Sequence, residues 1–251
     1  MGGKTTISGV SIEQNYRIGN DEEKAQRWRK HNIKDLWENS FSVVSQFMHD
    51  PRERHLQAVN RIIRYLKASL GKRLLFKKRE NLSKKVYTDV DYVGSIVNRR
   101  STTGYCMLLG GNLVTWRSKK QNVVARSSAK VEFRAMTHRV CELLWTKIIL
   151  DDLKIKYEVA MGLACDNKSA ISIAHNSVQH DRTKHIEIDR QFIKEKLDNG
   201  LIVTEYIPSK LQLADMFTKG ISTKHFKDHT CKLGMIHIHH LLEGECCIIR
   251  R

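Results

Sequence analysis

Residues 86–116 carry the pattern that most restricts how this chain can fold. In Val86–Tyr92, alternate positions differ in polarity, as they do in a β-strand whose two faces have different surroundings. Two apolar segments follow, Gly104–Leu109 and Asn112–Trp116, and only Gly110-Gly111 separates them. A two-residue link of this kind is typical of a type I′ turn, because both of its residues need a positive φ. The block therefore predicts three consecutive antiparallel strands.

The patterns after this block alternate between helices and strands. A long amphipathic helix is expected from Ser127 or Ser128 to about Asp152, because its apolar residues form one broad face and either serine can cap it. We then predict a strand at Met161–Cys165, helices at Asn167–Ala174 and Ile186–Leu197, a strand at Leu201–Ile207, and a helix that begins within Leu211–Lys219. Three antiparallel strands, a helix and then β-α-α-β-α predict an α/β fold with a mixed central sheet and flanking helices.

Four acidic residues stand at positions from which their carboxylates can converge. Asp89 lies inside the first strand, Glu132 in the first turns of the long helix, Asp166 at the end of the fourth strand, and Asp215 early in the last helix. Carboxylates at close range cannot all stay ionised unless cations neutralise them. Oxygen-only ligands select Mg²⁺ or Mn²⁺ over zinc. Two such ions roughly 3.5–4 Å apart can activate water and stabilise a departing alkoxide in phosphodiester cleavage.

Each of these acids also has an ordinary structural explanation. Asp89 could lie on a solvent-facing strand surface, and Asp91 points the same way and could replace it as a ligand. Glu132 could be a first-turn acid favoured by the helix dipole, and Asp166 or Asp215 could cap a helix. Taken singly, each acid fits the ordinary explanation better. Their order on these particular elements favours the metal site.

A strongly basic segment precedes the strands. Residues 51–86 contain twelve Lys or Arg and only two acids, in a chain whose net charge is +17. From Leu56 to Leu70, apolar residues recur at three- and four-residue steps, which predicts an amphipathic helix that ends at Gly71. The charge is either a solvated face or a surface for nucleic-acid phosphates. The residues expected to contact phosphate are Arg61, Arg64, Lys67, Lys72, Arg73, Lys77, Lys78, Lys84 and Lys85.

Composition excludes several classes of protein. A hydrophobic fraction of 41% is enough for a core. The sequence contains no run of 18 apolar residues, so no transmembrane helix is predicted. Its first residues do not show the pattern of a signal peptide. The six cysteines form no C-x-x-C pair, so reduced thiols are the default. These features predict an intracellular protein, cytoplasmic or nuclear, that is not secreted. The net charge of +17 points to a polyanionic partner, with nucleic acid first and an anionic membrane second.

Seven motifs, in this order, resemble the copia-type retrotransposon Pol polyprotein. They are Tyr87–Gly94, Arg99–Tyr105, Ser118–Gln121, Ser127–Ala129 with Glu132, Cys165–Ala170, Thr183–Asp189 and Leu213–Lys219. The match corresponds to the ribonuclease H (RNase H) segment of that polyprotein and covers roughly 86–235. Upstream, Val43–Ser69 resembles the end of the family's reverse transcriptase.

The resemblance implies an RNase H-like fold and endonucleolytic cleavage of the RNA strand of RNA–DNA hybrids. It assigns catalysis and metal binding to the same four residues, Asp89, Glu132, Asp166 and Asp215, with two Mg²⁺ ions, or Mn²⁺, as cofactor. The partner would be the hybrid, recognised by the 2′-hydroxyls of its RNA strand. No membrane and no small-molecule cofactor is implied, and the oligomeric state stays open.

The chain also departs from the complete polyprotein. We expect residues 1–42 to be a poorly ordered lead-in, 43–85 a reverse transcriptase remnant, 86–235 the RNase H-like domain, and 236–251 an unrelated tail. Asp151-Asp152 fits a helix end rather than the aromatic-x-Asp-Asp turn of a polymerase, so polymerase activity is not expected. Cellular RNases H have a histidine in the loop before the last acid, whereas Ser209–Gln212 has none.

Two other functions stay open at this stage. One is a catalytically inert retroelement remnant that only binds nucleic acid. The other is a different RNase H-like nuclease such as an integrase, although integrases use three acids and a zinc-binding module, and neither feature fits this sequence.

Overall fold

The computed structural model describes residues 45, 47–69, 71–79, 81–92, 101–121, 127–157, 159–176 and 184–237. All of them belong to a compact unit that spans Asp35–Arg251. The predicted lead-in 1–42 and nearly all of the predicted tail 236–251 lie outside the described residues, as do parts of three of the motifs.

The described residues form helices and strands in an order close to the predicted one. The elements are α1 (Glu53–Ala68), β1 (Lys72–Leu74), β2 (Lys84–Asp91), β3 (Thr102–Leu109), β4 (Asn112–Lys120), α2 (Ser128–Asp152), β5 (Met161–Cys165), α3 (Lys168–His175), α4 (Lys184–Asp198), β6 (Ile202–Tyr206), two 3₁₀-helices (Ser209–Leu211 and Leu213–Phe217), α5 (Thr223–Lys232) and β7 (Met235–His237).

Five strands form the central sheet, in the order β4-β3-β2-β5-β6. β2, β3 and β4 are antiparallel, whereas β5 runs parallel to both β2 and β6. Because β2 and β5 run in the same direction side by side, their carboxyl ends meet at one edge of the sheet. The predicted mixed α/β architecture is confirmed, and Asp89 of β2 and Asp166 directly after β5 lie toward this edge.

The glycine pair forms the predicted tight turn between β3 and β4. Gly110 has φ 56° and Gly111 has φ 75°, so both adopt the left-handed conformation that a type I′ turn requires. The turn joins β3 to β4, and the register shifts between Met107 and Leu108. Beyond this shift, Gly104 lies opposite Ser118 on β4, and on its other side it lies opposite Asp89 on β2.

The two faces of the sheet carry different cores. The α2 face buries a large apolar cluster, in which Val86 and Met107 of the sheet pack with Phe133, Met136 and Val140 of α2. The opposite face buries a smaller cluster built from Cys106, Trp116, Leu213, Phe217 and Leu233. The alternation predicted for β2 therefore separates its side chains correctly, with Val86 facing α2 and Tyr87 facing the smaller cluster.

The helix predicted within Leu211–Lys219 is wrong in type. The chain forms two short 3₁₀-helices there, because Gln212 between them is extended, with φ −71° and ψ 102°. The Gln212 side chain is fully buried and donates to the Thr88 carbonyl at 2.9 Å. A continuous α-helix would remove that residue from its extended conformation and from this bond.

One pairing was not predicted at all. β1 pairs antiparallel with β7, and the Leu75 amide donates to the Gly234 carbonyl at 2.8 Å. Residues 72–75, which the sequence places in the reverse transcriptase remnant, are thereby joined to the end of the RNase H-like segment.

Candidate metal centre

Three of the four predicted acids come together at the carboxyl edge of β2 and β5. Asp89, Asp166 and Asp215 each place one carboxylate oxygen within 4.8 Å of the others. Asp89 is 1% exposed, while Asp166 and Asp215 are half-buried. Asp166 directly follows β5, and the second 3₁₀-helix carries Asp215 over the sheet. Asp91, the alternative to Asp89 as a ligand, is not part of this cluster of described residues.

Glu132 is the fourth acid and lies beside the cluster on α2. Its Oε1 accepts a hydrogen bond from the Val90 amide at 3.0 Å. Its Oε2 is buried and has no hydrogen-bond partner among the described residues. Burial, followed by the nearby charges of Asp89 and Asp166, raises the pKa of Glu132 from 4.5 to about 9. Glu132 therefore keeps its proton at neutral pH in the metal-free protein, and a cation that binds it must displace that proton.

The cluster contains its own cation, Lys219, which is not among the four predicted site residues. The Lys219 ammonium donates to Asp89 Oδ1 at 2.9 Å and to Asp215 Oδ1 at 3.1 Å. Burial alone would lower the pKa of Lys219, but Asp89 and Asp215 outweigh it and raise that pKa above its ordinary value. The pKa of Asp215 rises to about 7, first because of burial and then because of the Asp89 charge.

The residue next to this lysine also holds the cluster. The Thr218 hydroxyl donates to Asp89 Oδ2, so both oxygens of Asp89 have a donor. Thr218 and Lys219 follow the second 3₁₀-helix, and both of their backbone amides bond to the Asp215 carbonyl. The Leu213–Lys219 motif therefore supplies one acid and two donors from a single tight turn.

Gly104 explains how this turn can reach the sheet. A Cβ added at Gly104 would lie 2.7 Å from Thr218 Cγ2 and 2.8 Å from Phe217 Cβ, closer than real contacts allow. The neighbouring strand adds a second anchor, because the Ser118 hydroxyl donates to the Phe217 carbonyl. β3 and β4 thus form the platform on which Thr218 contacts Asp89.

The loop between β6 and the second 3₁₀-helix fixes Asp166. The Ser209 hydroxyl donates to Asp166 Oδ2 at 2.7 Å. Gln212 anchors the same loop by donating to the Thr88 carbonyl and accepting from the Ala214 amide at 3.2 Å. Ser209–Gln212 contains no histidine, and its sequence does not predict the roles of Ser209 and Gln212, because their partners lie 43 and 124 residues away.

Lys84 is the one predicted phosphate contact that the structure removes. It is 2% exposed, and its ammonium lies 4.5 Å from the centre of the Tyr157 ring. A side chain buried in this way cannot contact a polyanion at the surface, and it packs on the α2 face of β2. The burial of Lys84 is not expected from the sequence, because lysine is rarely buried even where the alternation of a strand places it on the core face.

The remaining basic residues are exposed or partly exposed. Arg61, Arg64 and Lys67 are exposed on α1, and Lys77 and Lys78 are exposed after β1. Three others, namely Lys72, Arg73 and Lys85, are partly exposed, and Lys85 forms an ion pair with Glu205 at 2.6 Å.

The donor set at the cluster fits a hard divalent cation. All of its acidic ligands are carboxylate oxygens, the ligand type that Mg²⁺ and Mn²⁺ prefer. The unpartnered Glu132 Oε2 adds a buried acceptor at its edge. The ligand chemistry of the three acids is therefore compatible with a hard divalent cation.

Comparison with known proteins identifies the relatives of this chain. It is 37% identical over 195 residues to the retrovirus-related Pol polyprotein from transposon RE1 of Arabidopsis thaliana. The polyprotein from transposon TNT 1-94 of Nicotiana tabacum is 35% identical over 189 residues. The chain belongs to the copia-type retrotransposon Pol family. These matches cover 78% and 75% of this chain but only 13% and 14% of the two Pol polyproteins.

The remaining comparisons concern family models and solved structures. No family model matches the chain. LC11-RNase H1, whose structure is of a complex with an RNA/DNA hybrid, is 15% identical, with a TM-score of 0.39 over 54% of this chain and 94% of that protein. The RNase H-like fold expected for this segment of a Pol polyprotein is confirmed, as β2–β4, α2, β5, α3, α4 and β6 follow the predicted order. None of the described helices is long and apolar enough to cross a membrane.

Proposed function

We propose that this chain is a metal-dependent ribonuclease that cleaves the RNA strand of RNA–DNA hybrids. The observation that carries the proposal is the convergence of Asp89, Asp166 and Asp215, with Glu132 beside them, at one edge of an RNase H-like sheet. Membership of the Pol family supports it, since the motifs that supply these acids are the ones that resemble the RNase H segment.

The four acids would hold two Mg²⁺ ions, or Mn²⁺ in their place. When bound, the ions supply electrophilic stabilisation of the phosphodiester and a more acidic attacking water. The protein's part is to hold the carboxylates in place. Ser209 fixes Asp166, Thr218 fixes Asp89, and the Val90 amide fixes Glu132.

The strand and the duplex would be recognised by separate features. Only the RNA strand offers 2′-hydroxyls in the wide minor groove, which gives a basis for choosing that strand. The exposed basic residues of α1 and the segment after it would add phosphate contacts that do not depend on sequence. We retain Arg61, Arg64, Lys67, Lys72, Arg73, Lys77, Lys78 and Lys85 in this proposed surface and leave Lys84 out.

Cleavage of a labelled RNA–DNA hybrid by the purified chain tests the proposal. We expect cleavage with Mg²⁺ or Mn²⁺, none with EDTA, and at least ~100-fold slower cleavage by Asp166→Asn, since several kcal/mol of metal-dependent stabilisation would be lost. Asp198→Asn is the matched control, because Asp198 is exposed at the end of α4. It should cleave like the wild type.

Two results would count against the nuclease. Cleavage that survives Asp166→Asn would contradict the assignment of the site. Hybrid binding without any cleavage would favour the alternative of an inert remnant that only binds nucleic acid.

The basic surface has its own test in the salt dependence of hybrid binding. Replacing Arg61 and Arg64 by Gln should reduce the slope of log affinity against log salt by about 1–2, because each phosphate contact contributes a little less than one. The matched control is the double variant Lys154→Gln with Lys156→Gln. Both lysines precede β5, whereas Asp166 follows its other end. An equal change in both double variants would show that α1 has no special role.

A further inference from the structure

We propose that Lys219 is a tethered cation that occupies the position of a divalent ion between Asp89 and Asp215, and that metal must displace it to bind. The inference rests on the proposed function, because it concerns the ion that the ribonuclease would require. It adds a role to a residue outside the four predicted acids. Lys219 would set the metal concentration at which the centre fills.

The geometry places the ammonium between the two acids. Its Nζ is 2.9 Å from Asp89 Oδ1 and 3.1 Å from Asp215 Oδ1. A divalent ion ligated by these two oxygens would occupy the same space and carry the same sign of charge. The ammonium and a divalent ion cannot occupy this position at the same time, so lysine and metal compete for it.

Burial explains why a cation is needed at this position without metal. Asp89 is 1% exposed, and a buried carboxylate without a counter-charge is costly. Thr218 satisfies one oxygen of Asp89, and Lys219 satisfies the other and supplies the positive charge. The lysine therefore stabilises the metal-free fold.

Exposure explains how the lysine can leave. The Lys219 side chain is 36% exposed, whereas that of Asp215 is 13% exposed. Its backbone is held by the bond from its amide to the Asp215 carbonyl at 2.9 Å, so only the side chain needs to move. A long stem that enters the cluster from the surface can withdraw into solvent when a divalent ion arrives.

The affinity of the full chain for Mn²⁺ tests this role without using activity. The electron paramagnetic resonance signal of free Mn²⁺ measures how much of the ion is bound. Lys219→Met should bind Mn²⁺ roughly tenfold more tightly than the wild type, because the ion no longer has to displace an ammonium that interacts with the same two carboxylates. In EDTA the same variant should melt at a lower temperature than the wild type. The difference should shrink or reverse at saturating Mn²⁺.

Three further variants separate the explanations. Lys210→Met removes a charge from the exposed neighbouring 3₁₀-helix and should leave the Mn²⁺ affinity at the wild-type value. Lys219→Arg keeps the charge and should also stay near the wild type. Asp166→Asn should bind Mn²⁺ more weakly than the wild type, because it removes a ligand.

Each outcome decides the matter. Unchanged or weaker Mn²⁺ binding by Lys219→Met overturns the inference while wild-type binding leaves the proposed function standing. An equal gain in Lys210→Met or Lys219→Arg also overturns it. If Asp166→Asn binds like the wild type, the metal centre itself is wrong and both proposals fail. If Lys219→Met unfolds in EDTA but folds when Mn²⁺ is added, that rescue supports the inference.

Discussion

Each end of β2 buries an ionisable side chain, and the two side chains differ in the partners that surround them. At the amino end, Lys84 is 2% exposed, has no hydrogen-bond partner for its ammonium in the described part of the chain, and rests against the Tyr157 ring. At the carboxyl end, Asp89 is 1% exposed and bonds to both Thr218 and Lys219. The same strand thus contains one charge with an aromatic neighbour and one inside an ionic cluster.

The difference separates structural burial from a functional site. Burial lowers the pKa of Lys84 from 10.5 to about 8, so this side chain responds to desolvation by releasing its proton more easily. The acids at the other end accumulate instead: Asp89, Asp166, Asp215 and Glu132 stay together despite their mutual repulsion. This gathering of acids supports the proposed cation site, because carboxyl groups with strongly shifted pKa values cluster at functional sites.

The strongest way to sharpen this contrast is Glu132→Gln in the absence of metal. The folded-state pKa of Glu132, about 9, lies above its ordinary 4.5, so the folded protein keeps a proton that the unfolded chain releases. Wild-type stability should therefore fall as the pH rises from 4.5 to 9. The variant lacks this loss and should be more stable than the wild type by roughly 2–4 kcal/mol near pH 8, at about 1.4 kcal/mol for each pKa unit.

Urea unfolding in EDTA at several pH values measures this effect. The gain in stability of Glu132→Gln over the wild type should vanish below pH 4.5, where Glu132 is protonated in both the folded and the unfolded wild type. Glu142→Gln on the same helix is the control and should show no such pH dependence. An advantage that is constant across the pH range would contradict the assigned pKa of Glu132.

At the amino end the expected pH dependence has the opposite sign. The folded-state pKa of Lys84 lies below its ordinary value, so the unfolded chain holds a proton that the folded protein lacks between pH 8 and 10.5. Wild-type stability should rise with pH across that window. Lys84→Met should be more stable than the wild type by about 1–3 kcal/mol below pH 8, and the gain should fade above pH 10.5.

A control tests whether burial is the cause. Lys156 is exposed beside Tyr157, and Lys156→Met should change stability little at any pH. The Lys84 variant should also cleave hybrid as the wild type does, since Lys84 lies away from the acids. Loss of hybrid binding in Lys84→Met would restore the original prediction that this residue contacts phosphate.

The parts of the fold that were predictable depend on local pattern. The strand Met161–Cys165 has the predicted bounds, and the helix ending at Asp152 and the glycine turn are also as predicted. Each is determined by propensity, alternation or a turn residue within a few positions. Local rules of this kind do not require knowledge of the rest of the molecule.

The parts that were not predictable depend on contacts between distant residues. Lys84 is buried because its backbone amide donates to the Tyr157 hydroxyl 73 residues away and its ammonium packs on the same ring. The break at Gln212 depends on Thr88, and the pairing of β1 with β7 joins segments about 160 residues apart. At the site, the sequence predicted the acids by position, but the donors Thr218 and Lys219 were recognised only as letters of a motif.

The last expected effect concerns the platform under the carboxyl end of β2. Gly104→Ala places a methyl group 2.7 Å from Thr218 Cγ2 and 2.8 Å from Phe217 Cβ, so the turn that carries both residues must move away from the sheet. Overpacking of this kind costs about 1–3 kcal/mol of stability. Because Thr218 and Lys219 move with the turn, Asp89 should also lose its two donors.

Gly220→Ala is the matched control for this last change. Gly220 lies in the same segment, and a Cβ added there meets nothing within 4 Å, so its melting temperature should stay near the wild type. In EDTA, Gly104→Ala should melt at a lower temperature, and Lys219→Met added to it should cost less than Lys219→Met alone, since the lysine no longer reaches Asp89. Additive losses in the double variant would mean that the turn stays in place, and that Gly104 serves only the packing of the smaller core.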